Sequence, residues 1–453
     1  MIKKIILFSV LVGLLTTTSC SKDEPAAPET TTDNSIDAQI AAINALPYSA
    51  LTPADQKIKL ETDANQLLTE LNQLSSSSAI DALQNLERLI SINSIDFIPN
   101  DNNGVQDLLS VSGAYGIYTW NNLMQVWVKA PSTTELKFIF PAKKTQTVNN
   151  TVLSSTSTSS NVQIELTDTR ERGQYQFVNG NYTYVLLSPA VFDNFNLPSS
   201  VNATLKIDNV DAATITSTAV YSGNKQAPDD SNFKVILNDG YLWDFVGKKG
   251  TPNAISNKLS YNGKNLLDFT TNSTANIDQI LANNNQPSYI GKVNTLIKLM
   301  DNFIIVGQNN FETLANDQDV FESSLVRPNY NSSTYYANIN AYKNAYSAAS
   351  VVAYNKNIKM ALVSSKDGTK IADIIQKSVI GNTYTTNVVW TTGSFGGYWQ
   401  YSSNPADVKI VQNYDEVLYL RFKDNTDVAF DVYFSSGFSN FETRFQNFIN
   451  SFN

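Results

Sequence analysis

Histidine is absent from the 453-residue chain, and cysteine occurs once, at Cys20. Without histidine the chain cannot form a Ser-His-Asp or Cys-His catalytic group, or a zinc, copper or iron site with imidazole ligands. One cysteine cannot close a disulfide within the chain. Carboxylate acid–base chemistry, Ser–Lys chemistry and oxygen-ligated calcium or magnesium stay possible. No spacing selects residues for any of them, and we therefore expect no catalytic residue, no metal and no cofactor.

Charged residues are scarce, at 16% of the chain, and the net charge is −9 with a pI near 4.7. Nucleic-acid binding needs a basic surface, as does attachment to anionic lipid, so the composition argues against both partners. Apolar residues make up 42% of the sequence, which is enough for a sizeable core. Asn, Ser, Thr and Tyr replace charge at the surface, a pattern typical of extracellular β-rich proteins.

The chain begins with Lys3 and Lys4, followed by an apolar run over residues 5–15 and then by small polar residues up to Cys20. This order is typical of a secretory signal peptide, here residues 1–19. The apolar run is too short to span a bilayer, which needs about 20 apolar residues.

A lone cysteine directly after such a signal resembles the lipobox of bacterial lipoproteins, although Thr17 stands where that family commonly has leucine. The resemblance implies that Cys20 carries diacylglycerol and usually a further acyl chain such as palmitate. Acyl chains of this kind make a durable membrane anchor. The alternative is an ordinary secreted protein in which Cys20 has no special role.

The next four residues, Ser21, Lys22, Asp23 and Glu24, resemble the surface-export signal of Bacteroidota lipoproteins. The resemblance implies an address on the outer face of the outer membrane, with the lipid as the membrane contact. The alternative is a solvated charged linker. Residues 20–35 are rich in Pro and Thr and predict a disordered tether.

Residues 36–96 predict a helical hairpin. Thr52 as N-cap, Pro53 at the first helical position and Asp55 at the third begin the first helix. Its apolar face consists of Leu67, Leu68, Leu71 and Leu74. The second helix begins at Ser78 and carries Ile80, Leu83, Leu86, Leu89 and Ile90.

Residues 97–275 alternate apolar and polar side chains over short runs and predict a β-rich antiparallel region, with a Ser/Thr-rich loop at 145–160. Residues 276–350 predict a mostly helical region. Its helical spacing is carried by Ile290, Val293, Ile297 and Met300 and, further on, by Tyr342 and Tyr346. A short helix is also predicted over 371–375.

Residues 351–453 predict β-hairpins followed by a C-terminal helix. Strands over 417–423 and 428–434 are predicted to pair with Phe422 opposite Val428. The helix is predicted to begin at Ser439 and to pack on a sheet through a stripe of Phe438, Phe441, Phe445, Phe448 and Phe452. The predicted fold class is α+β, with antiparallel β-sheets flanked by helices.

The segment most suggestive of ligand binding surrounds Gly393, Gly396 and Gly397. Its candidate ligand-binding residues are Trp390, Phe395, Tyr398, Trp399 and Tyr401. Exposed rings stack on sugars, and glycines allow close approach of a ligand. The alternative is a hairpin whose aromatic side chains alternate into the core, because glycines most often mark a turn.

These features together predict a lipid-anchored protein at the bacterial cell surface that binds a glycan, a peptide or an outer-membrane protein partner. One alternative is a carrier that shelters an amphiphile or acyl chain in a curved-sheet cavity. A second alternative is a glycan hydrolase that uses two carboxylates.

Overall fold

A computed structural model describes the chain over residues 35–74, 76–95, 108–169, 172–178, 181–188, 191–283, 287–300, 302–394 and 396–435. The signal peptide, Cys20, the tetrapeptide Ser21–Glu24, Phe395 and the predicted helix with its Phe stripe at 438–452 lie outside these residues.

The described helices are α1 (Ile36–Asn44), α2 (Pro53–Leu74), α3 (Ser78–Ile92), α4 (Ile277–Asn283), α5 (Pro287–Ile290), α6 (Phe311–Ser324), α7 (Tyr335–Asn357) and α8 (Phe430–Ser435). The strands of the first half are β1 (Gly116–Asn121), β2 (Val126–Ala130), β3 (Leu136–Phe140), β4 (Thr151–Thr169), β5 (Arg172–Val178), β6 (Asn181–Ser188), β7 (Val191–Ile207), β8 (Val210–Val220) and β9 (Asp230–Leu237). Those of the second half are β10 (Tyr241–Lys248), β11 (Asn253–Tyr261), β12 (Lys264–Ser273), β13 (Lys292–Leu299), β14 (Phe303–Asn310), β15 (Ile358–Ser364), β16 (Thr369–Gly393), β17 (Gly396–Tyr401), β18 (Val408–Arg421) and β19 (Asp427–Ala429).

Seventeen strands form one sheet, and β5 with β6 forms a separate two-stranded ribbon. Following the pairings across the sheet gives the order β2-β1-β3-β4-β7-β8-β9-β10-β11-β12-β13-β14-β15-β16-β18-β19, with β17 on the far end of β16. The β1–β3 pair is parallel, and the other described pairs are antiparallel. The predicted α+β class with mostly antiparallel sheet is therefore confirmed.

Helices α2 and α3 supply the largest apolar cluster. Leu67, Leu71 and Leu74 of α2 and the apolar residues of α3 are buried against Trp120, Phe138 and other side chains of β1, β3, β4, β7, β8 and β10. Leu60, two turns before Leu67, belongs instead to a second cluster with β14–β16 and β18. The leucine spacing of the sequence thus reflects burial against the sheet along the whole of α2.

Strands β13–β15 are covered on both faces. Ile40 of α1 packs with Ile304 and Val306 of β14, whereas Phe303, in the alternate position of the same strand, packs with Leu60 of α2. Apolar residues at consecutive positions of a strand occur where both faces are buried.

This double burial explains an incorrect prediction. Residues 292–310 lie in the region predicted to be mostly helical but form the antiparallel pair β13–β14, and the described helices nearby are the short α4 and α5. When both faces of a strand carry apolar side chains, alternation disappears and a helical spacing can arise by coincidence. Later in this region α6 and α7 are helices, and α7 contains Tyr342 and Tyr346 as expected.

Two further segments differ from their predictions. Residues 151–160 belong to β4 and are not a loop, because Thr151, Leu153 and Ser155 are buried in alternation with more exposed neighbours. Residues 371–375 lie in β16, which pairs with β15 on one side and with β18 on the other. A five-residue apolar segment is too short for its periodicity to distinguish a helix from a central strand.

The β18–β19 hairpin exists, but its predicted register is wrong by two residues. Val428 pairs with Leu420 rather than with Phe422, and α8 begins at Phe430, where a strand was expected to continue. The connection still has an odd number of residues, so the apolar side chains of both strands share a face as predicted.

The observed register is fixed by polar contacts that hydrophobic alternation cannot report. Arg421 pairs with Asp427 through two hydrogen bonds of 2.8 Å. The Phe422 N–H donates to the Thr426 carbonyl at 3.0 Å, and Asn425 takes a left-handed conformation with φ of 62°. Asn tolerates that conformation better than most residues.

Candidate functional site

The predicted aromatic segment forms an antiparallel hairpin between β16 and β17. Trp390 lies directly opposite Trp399, and their rings are 5.3 Å apart at 70° to each other. The Trp390 ring lies against Gly397, where an added Cβ would overlap its ring atoms. Glycine is therefore needed at this position for close ring packing rather than for a turn alone.

The candidate aromatic residues do not share one surface. Trp390 and Trp399 are partly buried on the same face of the hairpin, whereas Tyr398, adjacent to Trp399, points to the opposite face and is 51% exposed. Tyr401 is also exposed, at 77%. Alternation along β17 thus separates Tyr398 from Trp399, as expected for a regular strand.

Trp399 joins the hairpin to α7. Its ring meets Tyr336 edge-on at 4.7 Å, and Tyr336 contacts Tyr335 at 5.0 Å. Tyr330, in the loop before α7, lies 5.0 Å from Tyr335. The Trp399 Nε1–H is buried without a hydrogen-bond partner among the described residues. A continuous row of aromatic rings therefore runs from the hairpin to the start of α7.

This row ends at an open cleft with a volume of about 950 Å³. The cleft lies between the end of α6, the loop before α7, α7 itself and β18. Its aromatic lining consists of Tyr330, Tyr335, Tyr342, Tyr346 and Tyr414. Its charged lining consists of Arg327, Lys343, Glu322 and Glu416. We call this site the tyrosine cleft.

Polar contacts hold α7 in place beside the cleft. Asn340 donates to the Ile410 carbonyl at 3.0 Å and accepts from the Gln412 N–H at 2.9 Å. Lys343 donates to Asn413 at 2.8 Å. Ser347 of α7 is hydrogen-bonded to a serine of β16 at 2.8 Å. Because side-chain amides bridge the helix to the sheet, the α7 tyrosines can line a cleft instead of filling the interface.

The phenol groups of Tyr346 and Tyr336 are held in their neutral form. The pKa of Tyr346 is raised to about 12, mainly by a hydrogen bond to the Glu322 carboxylate at 2.7 Å and secondly by burial. Burial, followed by a hydrogen bond to Tyr330, raises the pKa of Tyr336 to about 12. Neutral phenols present apolar faces for stacking and hydroxyl groups for hydrogen bonds over the physiological range.

The charges of the tyrosine cleft balance, because its lining holds two cationic and two acidic side chains. The lining therefore has no excess of one sign that would select a strongly charged ligand. A cleft of this chemistry suits a neutral ligand with flat faces and many hydroxyl groups.

The tyrosine cleft was not predicted from the sequence, although a signal for it was present. Five tyrosines occur between Tyr330 and Tyr346, at positions 330, 335, 336, 342 and 346. That density exceeds what one buried helix stripe needs. The lining residue Tyr414 could not have been found, because only the pairing of β16 with β18 brings it to α7.

Comparison with protein-family models, curated proteins and solved structures finds no match to this chain. Within the part of the chain that the structure describes, no helix is long and apolar enough to cross a membrane.

Proposed function

We propose that this protein is a lipid-anchored protein of the outer membrane, facing the cell exterior, that binds a glycan in the tyrosine cleft. The address rests on the resemblance of residues 1–24 to an exported lipoprotein. The observation that carries the binding function is the charge-balanced, tyrosine-lined cleft that continues through Tyr336 to Trp399.

Glycans fit this lining better than a peptide or a partner protein, the other ligands that the sequence suggests. Pyranose rings present flat C–H faces that stack on phenol and indole rings, and their hydroxyl groups bond to amides and carboxylates. The volume of about 950 Å³ lies at the upper end of the range for small-ligand sites, which suits a short oligosaccharide. The binding experiment distinguishes a glycan from a peptide or a partner protein as the preferred ligand.

Binding is tested with the mature chain on a panel of neutral oligosaccharides, followed by calorimetry and tryptophan fluorescence. We expect Tyr335→Ala and Tyr342→Ala each to weaken binding by about 1 kcal/mol, roughly fivefold. Tyr401→Ala is the matched control, since this exposed tyrosine is not part of the cleft lining. Equal loss in the control, or binding of peptides alone, contradicts the glycan assignment.

The membrane anchor is tested separately. Cys20→Ala should abolish incorporation of labelled fatty acid and release the protein from membranes, because the acyl chains supply the attachment. Replacing Lys22, Asp23 and Glu24 with alanine should keep the protein in the membrane but protect it from protease added to intact cells. Equal digestion of this variant and the wild type would reduce the tetrapeptide to a linker.

A carboxylate-dependent glycan hydrolase is the second candidate for the same cleft. Glu322 and Glu416 both line it, and both lie close enough to Tyr346 to affect its pKa. A pair of carboxyl groups flanking a bound sugar is the minimum requirement for glycosidic cleavage. If the protein released reducing sugar from an oligosaccharide and Glu322→Gln abolished that release, the cleft would be assigned to hydrolysis instead of binding alone.

The carrier alternative has less support. It needs a hollow between the sheet and α2–α3, whereas Trp120, Phe138, Leu86 and Leu89 are almost completely buried there. These side chains occupy the position where a sheltered acyl chain would lie.

We also propose the finer features of the fold expected from the sequence. These are an N-terminal hairpin formed by the helices of residues 36–96 and an amphipathic C-terminal helix on a sheet. Phe445→Ala, in the middle of the Phe stripe, should then lower the melting temperature as a core truncation does. An unchanged melting temperature with lost binding would make the stripe a ligand surface.

A further inference from the structure

The β5–β6 ribbon lies at the end of a long two-stranded arm. Strands β4 and β7 pair with each other up to Thr169 and Val191, whereas their pairing with β3 and β8 ends at Ser155 and Ser200. Beyond those positions, the described sheet contacts of the arm are β4 with β7 and one bridge from Ser112. The ribbon follows where β4 ends and leads back into β7.

One face of the ribbon is aromatic and exposed. Tyr175 lies opposite Tyr184, and Phe177 lies opposite Tyr182, so the four rings share a face. The rings pack edge-on in two pairs, with centroids 5.3 Å and 5.1 Å apart. Their exposed fractions nevertheless range from 44% to 75%. Leu186, which is 50% exposed, extends the same face towards the arm.

The ribbon has no charged residue beyond Arg172, with which β5 begins. The stretch from Gly173 to Ser188 contains no Lys, Arg, Asp or Glu, in a chain whose charged content is 16%. Natural edge strands are usually protected by charged residues or proline, and this ribbon has neither beyond Arg172. Exposed apolar surfaces of this kind mark interaction sites, because exposing them to water is unfavourable.

The occupant to which this face fits is the interfacial layer of a lipid bilayer. Tyrosine is favoured at that depth because its ring is apolar while its hydroxyl stays hydrated, and Phe177 adds apolar area beside the three tyrosines. A tip without acidic side chains adds no repulsion of its own towards anionic headgroups, in a protein whose net charge is −9. This argument rests in part on the proposed anchor. Ser35, where the described chain begins, follows Cys20 by 15 residues, so the tether holds the body within about 50 Å of the membrane.

We propose that the β5–β6 ribbon is a second membrane contact, whose aromatic face inserts into the bilayer interface beside the lipid anchor. The arm then fixes the orientation of the sheet relative to the membrane, which attachment at Cys20 alone does not do. A second contact beside the lipid anchor increases the total affinity for the membrane through effective concentration.

The test uses the mature chain with Cys20→Ser, so that no acyl chain contributes to binding. Co-sedimentation with phosphatidylcholine vesicles should be measurable and insensitive to salt, because no charge pair is involved. The affinity of the variant Tyr175→Ser/Phe177→Ser/Tyr182→Ser for vesicles should be lower by about tenfold or more, because interfacial binding scales with apolar area. The matched control changes the opposite face of the ribbon, with Gln174→Ser/Gln176→Ser/Thr183→Ser, and should bind as the parent does.

A labelling experiment decides the case even if the triple variant fails to fold. Cys20→Ser leaves the chain without cysteine, so Phe177→Cys provides a single site for an environment-sensitive fluorophore. We expect a blue shift on addition of vesicles at Phe177→Cys and none at Thr183→Cys. The proposal is overturned by absence of vesicle binding, by equal shifts at both positions, or by a ribbon-dependent dimer that ignores vesicles. Because these proteins carry no lipid, a failed lipidation experiment leaves this result unaffected.

Discussion

Helices α3 and α7 pack on the same sheet through different kinds of contact, apolar in α3 and largely polar in α7. The 15-residue α3 buries eight side chains, all apolar except Asn85. The 23-residue α7 buries four, of which Ser347 and Asn357 are polar. The short helix is therefore attached by apolar burial and the long helix by hydrogen bonds. The difference indicates that α3 stabilises the fold, whereas α7 presents a surface.

The largest expected effect is on the α3 side of this comparison. Leu86 is completely buried, so Leu86→Ala should lower the free energy of unfolding by about 2–5 kcal/mol through lost burial and a cavity. Tyr342→Ala on α7 should cost about 1 kcal/mol or less, because Tyr342 lines an open cleft. Both values are measured by denaturant unfolding at neutral pH. If the α7 variant were as unstable as the α3 variant, the tyrosine cleft would be part of the core.

The same contrast explains what the sequence could predict. Leucine spacing identifies α2 and α3 because their burial is continuous and apolar. The antiparallel class and the shared face of β18 and β19 follow from alternation in the same way. The register of that hairpin does not, because it depends on the pairing of Arg421 with Asp427.

The tyrosine cleft escaped prediction for a related reason. Its walls come from segments far apart in sequence, including Tyr330, Tyr346 and Tyr414, and no periodic pattern connects them. The predicted aromatic hairpin does lead to it, through the contact of Trp399 with Tyr336. One end of the aromatic row is therefore recognisable in the sequence, whereas the other end depends on the topology of the sheet.

A smaller effect concerns the charge pair that fixes the end of β18, the strand that carries Tyr414 of the cleft. Hydrogen bonds from Arg421, together with Lys377, lower the pKa of Asp427 to about 2. An unfolded aspartate titrates near 3.9, so this pair stabilises the folded state above about pH 4. That contribution is lost as the pH falls from about 4 through 2.

We expect the loss to be about 1–2 kcal/mol, since the partly exposed Arg421 is screened by solvent. Unfolding curves between pH 5 and pH 2 measure this loss in the wild type and in Asp427→Asn. The variant should be less stable at neutral pH, and its free energy of unfolding should change less with pH. A wild type and a variant with parallel pH profiles would show that the register is held by packing alone.

The smallest expected effect belongs to Tyr398, and it separates the two faces of the aromatic hairpin. Tyr398 is 51% exposed and points away from Trp399. Tyr398→Ala should therefore change stability by less than about 0.5 kcal/mol and leave the proposed glycan binding unchanged. Trp399→Ala should lose about 1–2 kcal/mol of stability, because its partly buried ring packs on both Trp390 and Tyr336. It should also weaken binding indirectly, by releasing Tyr336 at the start of the cleft.

Measuring both variants by unfolding and by calorimetry distinguishes the alternatives. Loss of binding with Tyr398→Ala at unchanged stability would place the ligand on the outer face of the hairpin, and the tyrosine cleft would then lose its assigned role.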